Sequence, residues 1–116
     1  MAILNNWCVL CSGGKYFFAA RDVAEHPLIP HGPIITSVIV DGKISEGEIV
    51  KTQSGTVYKL GTPLPVDDDC EFAKPLLIER AGRYFAKHNA ALSLEQLEKL
   101  LVLIEKVLSS KKYSIM

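Results

Sequence analysis

The sequence predicts an α+β fold: a small antiparallel, SH3-like or partly open β-barrel of about five strands, followed by two antiparallel C-terminal helices. Three observations predict it. Between Glu48 and Gly61 two alternating runs pivot on Ser54-Gly55 and read as a β-hairpin. The residues before that hairpin hold further short β-rich runs broken by turn residues. After Gly61 the apolar period changes from two to between three and four.

Trp7-Cys8-Val9-Leu10-Cys11 is the first strand and stops at Ser12-Gly13-Gly14; Lys15-Tyr16-Phe17-Phe18-Ala19-Ala20 is the second. The following segment, residues 21–33, contains Pro27, Pro30 and Pro33, which deny it both helix and central-strand conformations, so it is a loop. Ile34-Ile35-Thr36-Ser37-Val38-Ile39-Val40 forms the third strand and ends at Asp41-Gly42. In the hairpin Val50 and Thr52 alternate with Ile49, Lys51 and Gln53, and Val57 with Thr56 and Tyr58, so each run offers two chemically different faces.

Residues 62–70 read as an extended connector and residues 71–116 as a helical hairpin, the whole chain being one domain. Pro75 suits a first helical turn, after which Leu77, Ala81, Tyr84, Phe85 and His88 recur at helical spacing, with Glu79 and Arg83 as an i,i+4 pair and Asn89 as the stop. In the second helix, expected from about Leu94 to about Ser109, Ser93 and Gln96 form a capping box and Leu92 and Leu97 a hydrophobic staple. Leu94, Leu97, Leu101, Ile104 and Leu108 make one apolar seam; Leu100, Leu103 and Val107 make an adjacent one, and Val102 widens the surface. A helix apolar nearly all round is either packed between sheet and neighbouring helix or shared with a second copy. A second seam left exposed is a patch that a twofold partner covers, so a homodimer through the C-terminal helix is expected.

At 116 residues one domain buries roughly two-thirds of the unfolded chain's surface, enough for a core without staples. Thirteen basic and thirteen acidic residues balance, and they balance within each half of the chain, which argues against a nucleic-acid partner. No apolar run approaches the length of a membrane span, and no secretory leader opens the chain, so a soluble cytoplasmic protein is expected. Three cysteines, an odd number, fit reduced thiols better than a disulfide framework.

Cys8-x2-Cys11 with His26-x4-His31 satisfies the literal spacing of a Cys2His2 zinc site. However, Pro27 and Pro30 forbid the helix that such a site needs, and a separation of three sends Cys8 and Cys11 to opposite faces of a strand. Neither a metal nor another cofactor is therefore expected. His26, His31, Thr36 and Ser37 form a polar cluster in which an imidazole beside a hydroxyl could pair a base with a nucleophile. No Gly-x-Ser-x-Gly elbow accompanies it, and loop-capping histidines with cross-strand hydroxyls are the plainer reading, so no catalytic residue is assigned. Ser12-Gly13-Gly14-Lys15 lacks phosphate-loop spacing and reads as a turn. Tyr16, Phe17 and Phe18 offer bases a stacking surface only if they lie outside the core. Asp67-Asp68-Asp69 lacks the spaced oxygens of a calcium loop.

His26-Pro27, Pro30-His31-Gly32, Ile35-Thr36-Ser37-x-Ile39 and Thr52-x-Ser54-Gly55-x-x-Tyr58-x-Leu60-Gly61 together resemble a group of small, uncharacterised bacterial proteins found in prophages and other mobile elements. The resemblance spans roughly residues 7–61. It implies a bacterial or phage setting and a small accessory protein, with modulation of a host system as one role, and it transfers no catalytic residue. The expected function is non-enzymatic protein-protein interaction, with His26, Pro27, His31, Thr36 and Ser37 on one side and Leu97, Leu101, Ile104 and Leu108 on the other as contact residues for an unknown protein target and for a second copy. The alternatives are a small-ligand or single-stranded nucleic-acid-binding barrel, and a metal-dependent or hydrolytic site between His26 and Ser37.

Overall fold

A computed structural model describes residues 1–29, 31–87 and 93–112. Five strands form a ring in sequence order: β1 (Ala2–Ser12), β2 (Lys15–Ala24), β3 (Ile34–Gly42), β4 (Ile49–Thr52) and β5 (Val57–Leu60). Each consecutive pair is antiparallel, as expected from tight turns between short strands. The closing pair, β1 with β5, is parallel, through Ala2 opposite Tyr58, Ile3 opposite Lys59 and Leu4 opposite Leu60. An odd number of strands in up-and-down order makes this unavoidable, since the fifth runs in the direction of the first. Closure leaves neither terminal strand with an unpaired edge over that stretch.

β1 begins five residues earlier than the sequence pattern indicates, because Asn5-Asn6 carries little strand propensity. Asn6 sits at φ 53° and its N–H bonds to Thr62 O at 2.7 Å. On β1 the inward set passes from Leu4 to Trp7, and on β2 from Ala20 to Val23, so both strands change phase opposite one another while their register is kept. Beyond that point the two faces of the ribbon alternate between two cores, Trp7, Val9, Phe18 and Ala20 on one and Cys8, Leu10, Phe17 and Ala19 on the other.

The first core fills the ring with Leu4, Trp7, Val9, Phe18, Val23, Val50, Tyr58 and Leu60. Trp7 meets Phe18 edge to face at 5.9 Å and donates its indole N–H to Gly61 O at 2.8 Å. The second core lies on the outside of β1 and β2, where Cys8, Leu10, Phe17 and Ala19 meet Leu64, Cys70, Ala73, Leu77, Ile104 and Leu108. Residues 62–70 are thus more than a connector. Thr62 O and Leu64 N bond to β1, and Leu64 is buried against the sheet.

A 3₁₀ turn (Glu71–Ala73) leads into α1 (Lys74–Lys87), followed by α2 (Leu94–Ser109). The α2 boundaries are those expected. Ser93 Oγ accepts the Gln96 N–H at 3.2 Å and Gln96 Oε1 accepts the Ser93 N–H at 2.9 Å, which completes the capping box. Glu79 and Arg83 pair at 3.1 Å along α1. Leu92, His88 and Asn89, and the side chain of Phe85, lie outside the described residues. Lys74 Nζ reaches Glu105 at 2.5 Å and so links the start of α1 to α2.

Candidate functional site

The proline loop is anchored by His26. Its Nδ1 accepts the N–H groups of Leu28 and Ile29 at 3.0 and 3.1 Å, so in the neutral ring the proton sits on Nε2. Nε2 stands 3.3 Å from the Tyr58 hydroxyl, and the two rings lie tilted with centroids 5.9 Å apart. Burial raises the Tyr58 phenol above its ordinary value, against a smaller lowering by Thr56. Asp22 Oδ1 accepts the Gly32 N–H at 2.8 Å and ties down the other end of the loop. Pro27, Leu28 and His31 are exposed. Pro27 joins Ser54, Gly55 and Val57 along one shallow groove beside the N-terminus.

Thr36 and Ser37 do different work. The β2–β3 register slips by one residue between Phe17 and Ala19, which leaves the Phe18 N–H without a ladder partner. Buried Thr36 supplies it: Oγ1 accepts that N–H at 3.0 Å and donates to Ser37 O at 2.8 Å. Ser37 Oγ accepts the Ser54 N–H at 3.0 Å, so the third strand holds the hairpin turn. The hydroxyls and the imidazole are each committed to separate backbone groups.

Cys8 is fully buried between sheet and helices, its thiol pushed up to about 12 by burial and by the neighbouring Cys70. Burial also raises the Cys70 thiol, and Cys70 Sγ points at Leu108 O at 3.6 Å. Cys11 is half-buried and all three thiols are free. Among the described residues no group of three or more His, Cys, Asp or Glu is placed to hold a metal ion. Phe17 and Phe18 are buried in opposite cores, and Tyr16 packs at the edge of the ring interior. No described helix is long and apolar enough to cross a membrane.

The seam on α2 divides. Ile104 and Leu108 are buried against the sheet, a correction to their expected place in a contact surface shared with another molecule. The sheet takes the C-terminal half of the seam because Cys8, Leu10 and Cys70 lie beneath it. Leu94, Leu97 and Leu101 remain 74%, 40% and 38% exposed, with Val102 and Leu103 more than half exposed. Ile78 and Tyr84 add exposed apolar surface on α1.

Two positions gain importance only in three dimensions. Arg80 Nη1 and Nη2 donate to Thr36 O and Ile35 O at 2.9 and 3.1 Å, and the guanidinium lies 5.7 Å from the Phe17 ring centre. Its one sequence signal is a cation set on the Leu77, Ala81, Tyr84 stripe. Asp68 accepts from Arg21 Nη2 at 2.5 Å and from the Cys70 N–H at 2.9 Å, while its main-chain oxygen accepts from Lys111 Nζ. Burial works against ionisation of Asp68, but Arg21, the Cys70 N–H and Lys111 together hold its carboxyl below the usual range.

The structure thus defines a ring-shaped sheet with a two-helix outer layer and an apolar face on the final helix. The chain matches no family model, no curated protein and no solved structure.

Proposed function

We propose that the protein is a non-enzymatic interaction module that self-associates through α2. The carrying observation is the row Leu94, Leu97 and Leu101, which stays exposed after the sheet has covered Ile104 and Leu108. A row of leucines in water is unfavourable, and a second copy related by a twofold axis covers it with the same row. A twofold axis crossing the row at right angles sets the two helices antiparallel. Helix dipoles oppose in the same arrangement.

The non-enzymatic reading is supported by the engagement of His26, Thr36 and Ser37 with backbone groups. The exposed Pro27, Leu28 and His31 supply a separate surface for a protein target. The bacterial or mobile-element setting, and cytoplasmic location with it, rests on the sequence resemblance and composition. Replacing Leu101 with Asp tests the reading: light scattering should show the wild-type mass halved, with circular dichroism unchanged. A variant of unaltered mass, or a wild-type monomer, overturns it.

A further inference from the structure

A second feature of the helical layer is independent of the leucine row. Where the β1–β2 hairpin meets α1 and α2, a cleft of about 450 Å³ opens. That is within the range of small-molecule sites, roughly 300–1,000 Å³. Its walls are Phe17, Leu77, Leu100, Ile104 and Val107, an almost continuous apolar surface. Two cations, Lys15 and Arg80, also line it, and no acidic residue does so among the described residues.

Among the described residues, Arg80 is held in place without a counter-charge. Its two bonds to main-chain carbonyls of β3 fix the guanidinium but bring no negative charge, and they use two of its five N–H groups. The nearest acid along α1, Glu79, pairs with Arg83 instead. Burial, reinforced by Arg83, works against the charged state of Arg80. A half-buried cation in an apolar cleft is relieved by an anion that brings its own apolar body. A compact, strongly hydrated anion leaves the walls unfilled, and a neutral hydrocarbon leaves the charge unmet.

We propose that this cleft binds a small amphiphilic carboxylate, with its head at Arg80 and Lys15 and its alkyl chain along Phe17, Leu77, Leu100 and Ile104. The carboxylate accepts from the remaining guanidinium N–H groups in a charge-assisted pair, while the chain displaces water from apolar walls. This pairing gives the site a sign preference that a purely greasy cleft lacks.

The test is calorimetric titration of the full chain with decanoate below its micelle-forming concentration, beside decanol and decyltrimethylammonium. One-to-one binding of decanoate is expected, with decanol weaker by about tenfold, the scale of one charge-assisted hydrogen bond. Arg80→Gln should remove this preference; since Arg80 also secures β3, Lys15→Gln, at the exposed hairpin end, should reduce decanoate affinity severalfold without touching that contact. Repeating the titration on Leu101→Asp separates the cleft from self-association, and binding should persist. Equal affinity for decanoate and decanol, or no heat with decanoate, overturns the proposal.

Discussion

Thr36 Oγ1 accepts the main-chain N–H of Phe18 at 3.0 Å, at the point where the β2–β3 ladder slips by one residue. A side chain here replaces a missing strand partner in a fully buried place. Thr36→Val, nearly isosteric, removes the acceptor and leaves a buried N–H unpaired. It should cost about 1–3 kcal/mol in urea unfolding, while Thr36→Ser keeps the oxygen and should cost less. Equal stability of Val and wild type would mean that the ladder repairs itself.

His26 bridges two parts of the chain through opposite ring nitrogens, one on the loop and one toward Tyr58. His26→Phe keeps an aromatic ring and deletes both nitrogens. Amide exchange at Leu28 and Ile29 should then accelerate, whereas the β1–β2 amides should keep their protection, because loops open locally without global unfolding. Uniform loss of protection would make His26 part of the global core.

Glycine replacement separates two positions. A Cβ on Gly61 would meet Leu4 O at 2.9 Å and the Asn5 side chain closer still, at the place where the Gly61 N–H bonds to Leu4 O. Gly61→Ala should therefore destabilise by about 1–3 kcal/mol. Gly82 within α1 meets nothing within 4 Å, so Gly82→Ala should stabilise by about 0.5–1 kcal/mol. Thermal unfolding of the two variants should move in opposite directions.

The buried thiol of Cys8 gives an alkaline signature. Its ordinary value of 9.0 rises to about 12 in the fold, chiefly by burial, so the folded chain holds the proton longer than the unfolded chain. Its contribution is complete below about pH 9 and is lost as pH rises toward 12, at no more than roughly 1.4 kcal/mol per pH unit. Cys8→Ala should be less stable near neutrality yet show a shallower fall across that window. Parallel curves for both proteins would assign the alkaline loss to other groups.

What the sequence made legible was local. Ser93 and Gln96 cap α2 with atoms three residues apart, and Val50, Thr52 and Tyr58 turn inward by strand alternation alone. The kink at Asn6 was not legible, because its inward shift is matched by a shift between Ala20 and Val23 on another strand. Likewise nothing near Thr36 signals a slipped ladder, and nothing in α2 says which half of the leucine seam meets the sheet. That division depends on Cys8, Leu10 and Cys70, far away in the chain. Arg80 is only a cation on an apolar stripe until the fold brings the carbonyls of Ile35 and Thr36 within its reach.

Self-association through the exposed row of α2 underlies the proposed function, and the absolute mass of the wild-type protein decides it. Size exclusion with light scattering at roughly tens of micromolar, a range that a micromolar dimer populates, should give twice the chain mass of 12.8 kDa. A single species at 12.8 kDa would refute self-association.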